Sequence, residues 1–274
     1  MKPWRNPKAI GLFLLLVVAL GLVLSLPWDP TVFTVPQPNG YDDFLQAAAA
    51  VRGGPPDDGS EQAARGLVAV STGAYALVQA GLHKPCRVRI QVSKEYLDSH
   101  QKSLAELKRL TRCLIARGKV AHLEGRTDKA FEAYVEAYEF AHEIGRGGLA
   151  MDYLIHLSCK TLVLEHLKQI IPSLSGPQCH EMLAVIGRIE KEEEDPGVVA
   201  RRLARWQSAT FGKTVRLEIW AGKVKQALTT WSLNPFWSLR SELAEAERGH
   251  QNRVVGPASA ALRARLEAEG IPQR

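Results

Sequence analysis

The sequence lacks the short motifs that announce catalysis. It contains no Gly-x-Ser-x-Gly, which removes the nucleophile elbow of an esterase-like sheet. Gly145-Arg146-Gly147-Gly148 is glycine-rich, but no Lys-Ser/Thr follows it and a helix, not a strand, precedes it. It therefore reads as a helix stop and tight turn rather than a phosphate cradle. His142-Glu143 opens like a zinc-protease helix, yet Arg146 stands where the second histidine is required. His156 and Cys159 lie one turn apart without a second pair at metal-ligand spacing. No pair of carboxylates stands out from the charged helix faces. The expectation is no catalytic residue, no cofactor and no metal site, with an enzyme site assembled from distant residues left open.

Other absences narrow the class further. Pro, Gly and charge stand at ordinary levels and apolar residues make up 46% of the 274, so the chain is not disordered. The net charge of +6 is carried in part by Lys2, Arg5 and Lys8, leaving 32 basic against 29 acidic residues elsewhere. The pI near 9.2 therefore does not point to nucleic acid as a partner. Only one apolar run reaches spanning length. The segment from Met151 to Ile171 is interrupted by Asp152, His156, Lys160, Glu165, His166 and Lys168, and reads as a helix buried on most sides.

That one run is Ile10 to Leu26, without a charge and at the lower limit for crossing a bilayer. Lys2, Arg5 and Lys8 flank only its front, so the positive-inside rule keeps the N-terminus cytoplasmic and exports the rest. Trp4 and Trp28 bracket it at headgroup level. The expectation is an uncleaved single-pass anchor in the cell membrane: residues 1–28 as cytoplasmic end and span, 29–40 as a Pro-rich spacer, 41–240 as a helical domain and 241–274 as a polar, loosely held tail.

The helical domain is organised around Leu104 to Gly148. Ala130, Phe131, Tyr134, Val135, Tyr138, Ala141 and Ile144 recur at three- and four-residue steps and share one helix face. Asp128 sits in the first turn, and Thr127 is the expected N-cap. The preceding arm carries Leu104, Leu107, Leu110, Leu114, Ile115 and Leu123, with small Gly118 and Ala121 late in it; Gly125-Arg126-Thr127 makes the turn. These positions resemble the tetratricopeptide repeat: Gly118, Gly125, Ala130, Tyr134 and Ala137 match it, while Ala121 and His142 depart from it. The match covers one repeat, and no second copy scores comparably. The resemblance implies an all-α, TPR-like antiparallel hairpin array offering a groove to a protein or peptide.

Upstream, Asn39-Gly40 reads as a turn and Tyr41 to Val51 as a short helix with Asp42-Asp43 in its first turn. Ser60 to Gly81 is a second helix with Ser60 as N-cap. Pro85 to Ile90 alternates, but without a partner strand it is read as a connector. An Asn-Gly-Tyr-Asp-Asp-Phe start after a single anchor, then an EGR-type hairpin and a Gly-rich break, resembles an uncharacterised family of bacterial membrane-anchored helical proteins. That resemblance brings no activity, cofactor or catalytic residue.

Downstream, helices are expected over 149–171, from Ser175-Gly176-Pro177 through Glu190, and from Val198 to Leu228, with Lys191 to Asp195 as a solvated charge run between the last two. Two surfaces are singled out. Tyr134, Tyr138, His142, Arg146 and His156 are the candidate partner groove. Arg201, Arg205, Trp206, Lys213, Arg216, Trp220 and Lys223 are the candidate contact for a membrane surface or polyanion. Cys86, Cys113, Cys159 and Cys179 could pair in any of three ways outside the cytoplasm, or remain buried thiols. The function expected first is a membrane-anchored scaffold or protein-binding module. A cell-envelope enzyme and a lipid or polyanion binder are the alternatives.

Overall fold

The computed structural model describes residues 33–51, 59–211, 244–245 and 248–269. The expected span at 10–26, and Lys213, Arg216, Trp220 and Lys223, lie outside those residues. Among the described residues no helix is long and apolar enough to cross a membrane.

The fold is all-α, with no strand among the described residues. In chain order the helices are α1 (Gly40–Ala50), α2 (Glu61–Leu82), α3 (Tyr96–Leu123), α4 (Thr127–Glu143), α5 (Ala150–Ile170), α6 (Gly176–Glu192), α7 (196–211) and α8 (Gly256–Ala268). A 3-10 turn, Ile171–Ser173, holds Pro172 and ends α5. Each helix from α1 to α4 packs on the next, α6 packs on α4, and α8 returns to cover α6 and α5. Between α3 and α4 only residues 124–126 intervene, and so short a turn leads α4 back along α3.

The starts of these helices follow from their caps. Ser60 Oγ accepts from Ala63 N at 3.0 Å, as expected. Ser175 and Gln178 form a capping box ahead of α6, with Pro177 in its first turn. Asn39 caps α1 and reaches further: its amide accepts from Arg87 N at 3.0 Å and donates to Arg87 O at 2.9 Å. The 85–90 connector is thereby held against α1, and Val88 N donates to Arg146 O at 2.9 Å. Thr127 is not a cap. It is the first helical residue, and Arg126 precedes it without a side-chain bond.

The central hairpin is α3 and α4. Leu104, Leu107, Leu110, Leu114 and Ile115 are buried, as are Ala130, Phe131, Tyr134, Tyr138, Ala141 and Ile144; Leu123, at the turn, is exposed. Phe140 of α4 meets Phe44 of α1 edge to face at 4.9 Å, which ties the first helix to the hairpin. One continuous core runs from Tyr41 to Leu266.

Two expectations change. The C-terminal helix is not loosely held, for Ala258, Leu262 and Leu266 of α8 are fully buried. Its apolar residues lie four apart and form a stripe that α6 and α5 cover. And α5 does not bury its apolar circumference evenly. It exposes Leu154 while burying Asp152, His156 and Lys160, which stand at four-residue steps on one face.

Candidate functional site

The polar stripe on α5 builds the site. Asp152, at its start, accepts from Leu149 N at 2.7 Å through Oδ2 and pairs with His100 Nε2 of α3 at 2.6 Å through Oδ1. Both side chains are buried, so this pair fixes the entry of α5 against α3. One turn on, His156 Nε2 lies 2.6 Å from Glu193 Oε1, and a further turn on, Lys160 Nζ donates to Glu193 Oε2.

Glu193 belongs to the charge run expected to be solvated. Its side chain is only 10% exposed. The run ends α6 and folds inward, because each of its central acids meets a buried cation or imidazole. Glu194 takes the guanidinium of buried Arg202 on α7, which also donates to Gly148 O at 2.6 Å. Burial works against ionisation of Glu193. The His156 hydrogen bond and the Lys160 ammonium outweigh it and hold the carboxyl well below the usual carboxylate range. Burial pushes His156 down while its hydrogen bond to Glu193 opposes that, and since a carboxylate can only accept, Nε2 is the donor.

His142, on α4, stands beside this pair. Its imidazole is 5% exposed, with Nδ1 3.8 Å from Glu193 Oε2 and Nε2 3.8 Å from Glu192 Oε2. Neither nitrogen has a hydrogen-bond partner among the described residues. Burial lowers its pKa to about 3, with Lys160, His156 and Arg146 adding to the effect and Glu193 opposing it. Gly145 makes the arrangement possible. A Cβ there would lie 2.5 Å from His156 Nδ1, so only glycine lets the imidazole pass under the end of α4.

Glu193 and Lys160 also line a cavity of about 500 Å³. Its walls carry both signs of charge: Lys160 and Arg248 against Glu190, Glu193 and Asp195. Tyr138, Leu157, His250 and Gln251 also line it. The Tyr138 hydroxyl and His250 Nε2 are buried without a hydrogen-bond partner among the described residues. Thr161 Oγ1 lies 2.8 Å from His250 Nδ1, which fixes the ring. Burial, then Lys160 and His156, bring His250 down to about 4.

The five residues expected to form a partner groove are thus placed together but not as an open groove. Tyr134, Tyr138, His142 and His156 are buried, and Arg146 alone faces solvent, at 44% exposure. Tyr134 packs on Gly118, and Tyr138 faces the cavity. Of the second surface, Arg201 and Arg205 are exposed. Trp206 is not part of it. Its indole is 1% exposed, donates from Nε1 to Gln91 O at 2.8 Å, and packs on Tyr96. All four cysteines are buried free thiols.

Sequence reasoning missed Lys160, Glu192, Glu193, Arg248 and His250. The signal for the first three was present. Polar residues at 152, 156 and 160 repeat with helical period inside an apolar segment, and such a stripe needs counter-charges. The acidic run at 192–194 is the nearest supply. Compared with known proteins, the chain matches no family model, no curated protein and no solved structure.

Proposed function

We propose that the protein is a binding module of tetratricopeptide-like build, held at the cell membrane by residues 10–26 with its helical domain on the far side. Its ligand site is the cavity between α5, the end of α6 and residues 248–255. The observation that carries this reading is a cavity lined by both signs of charge, Lys160 and Arg248 against Glu190 and Glu193, with Tyr138 and His250 on its wall. A volume of about 500 Å³ falls in the range that holds a small molecule or the end of a peptide.

Arg248 offers a cation for a carboxylate, and Glu190 an anion for an ammonium. The ligand class that fits carries both groups: an amino acid, or a peptide terminus inserted from a protein partner. The helical-repeat build is supported by Gly118 and Tyr134, which occupy matching repeat positions and touch. The exported placement rests on the charge asymmetry around residues 10–26.

Thermal-shift measurement on the full chain in mild detergent, with free amino acids, dipeptides, dicarboxylates and diamines, tests the reading. Compounds bearing both charges raise the midpoint of the wild type and not of Arg248→Ala. Dipeptides acting where free amino acids do not identify a peptide end as the source. No shift from any of the four classes, or equal shifts in Arg248→Ala, removes the cavity as a ligand site.

A further inference from the structure

A second group of side chains, none of them on the cavity wall, answers to a different chemistry. One ligand atom each from His142, Glu143 and Glu192 lies within 4.8 Å of the other two. Carboxylates gather on protein surfaces for many reasons, so proximity alone decides nothing. The buried atoms decide it. His142 is 95% buried at its side chain, and both ring nitrogens lack a hydrogen-bond partner among the described residues. Glu143 Oε2 is also buried and without one. Native interiors rarely leave a single such atom. Here neighbouring residues leave three, and a carboxylate and an imidazole nitrogen among them lie in one metal-sized group.

We propose that His142, Glu143 and Glu192 bind a divalent transition-metal ion, with His142 Nε2 as the nitrogen ligand. The proposal does not depend on the cavity. A nitrogen with two carboxylates suits zinc, cobalt or manganese, whereas magnesium and calcium take oxygen ligands alone. Metal–ligand bonds of about 2.0–2.2 Å require the three donor atoms to draw together by about 1 Å from their present spacing. The two glutamates permit that. Glu192 is 35% exposed and ends its helix, while Glu143 pairs with the exposed Arg146.

Arg146 is the stand-in cation. Its Nη1 lies 3.1 Å from Glu143 Oε1 and 3.8 Å from Glu192 Oε2, so it spans both carboxylates. At 44% exposure its guanidinium can swing into solvent when an ion arrives. Glu193 Oε2 lies 3.8 Å from His142 Nδ1 and is already engaged by Lys160. Three protein ligands leave a coordination position for water or for a group on a partner.

Titration calorimetry with zinc on the chelator-treated full chain in mild detergent, with cobalt absorption as a spectroscopic probe, tests this. The wild type binds one ion per chain, and the cobalt form shows the visible bands of a low-symmetry nitrogen–oxygen site. His142→Ala and Glu192→Gln each weaken binding by at least about tenfold. Arg146→Ala strengthens it several-fold, because the competing cation is gone. Should His142→Ala fail to fold, Glu192→Gln and Arg146→Ala still decide, since both change side chains that reach solvent. No binding by the wild type overturns the proposal. So does binding that Glu192→Gln leaves unchanged, which would place the metal elsewhere.

Discussion

Gly118 lies directly beneath the ring of Tyr134: a Cβ built on Gly118 would stand 2.8 Å from Cζ and 2.9 Å from Cε1. The two helices of the central hairpin approach this closely only because one of them has no side chain at that point. The phenol is fully buried and has nowhere to move. Gly118→Ala is therefore expected to destabilise the domain by about 1–3 kcal/mol through overpacking. Gly73, exposed on α2, meets nothing within 4 Å. Gly73→Ala is expected to stabilise by about 0.5–1 kcal/mol through helix propensity. Denaturant unfolding of both variants checks the opposite signs. A neutral Gly118→Ala would mean that α3 and α4 are not held at this spacing.

Leu262 of α8 is fully buried against helices that precede it by some seventy residues and more. Leu262→Ala is expected to cost about 2–5 kcal/mol, the range for a core leucine. It should lower a single cooperative transition rather than release a separate C-terminal step. A loss under 1 kcal/mol would show that α8 docks without contributing to stability.

The hairpin was legible because its apolar residues repeat with helical period and its turn carries glycine, both local properties. The tail was read as loose because its composition is polar. Composition cannot report that Ala258, Leu262 and Leu266 fall on one stripe facing a gap left by α5 and α6. The charge run Lys191 to Asp195 reads as solvated for the same reason. Its burial depends on His156, Lys160 and Arg202, which come from two other helices. Trp206 shows the converse error. A tryptophan among arginines suggests a membrane surface, but the indole finds a backbone carbonyl, Gln91 O, 115 residues earlier and turns inward.

The four cysteines are expected to resist thiol reagents in the folded protein. Cys113, Cys159 and Cys179 are at most 1% exposed, and burial pushes the Cys86 thiol up to about 12. A thiol reacts as the thiolate, so burial removes both access and nucleophilicity. With Ellman's reagent the native chain should release no more than a trace of chromophore. Addition of guanidinium should release four equivalents, with or without prior reduction. Two equivalents in the unreduced sample would reveal a disulfide.

His250 sets an acid limit on stability. Its ordinary pKa of 6.5 falls to about 4 in the folded chain. Burial is the main cause, and the facing Lys160 and His156 of α5 add to it, while Glu193 opposes it. Thr161 is its hydrogen-bond neighbour. A depressed histidine contributes stability that is complete above the unfolded value and is lost as pH falls towards the folded one. Between pH 6.5 and pH 4 the unfolded chain takes up a proton that the folded chain refuses. The loss from this group between pH 7 and pH 5 is about 2 kcal/mol. Urea unfolding of the metal-free full chain at both values, compared with His250→Phe, isolates it. The variant should keep its own stability more nearly constant across that window. If the imidazole proton resonances of His250 titrate near 6.5 instead, water reaches the ring and the cavity wall at this point is open.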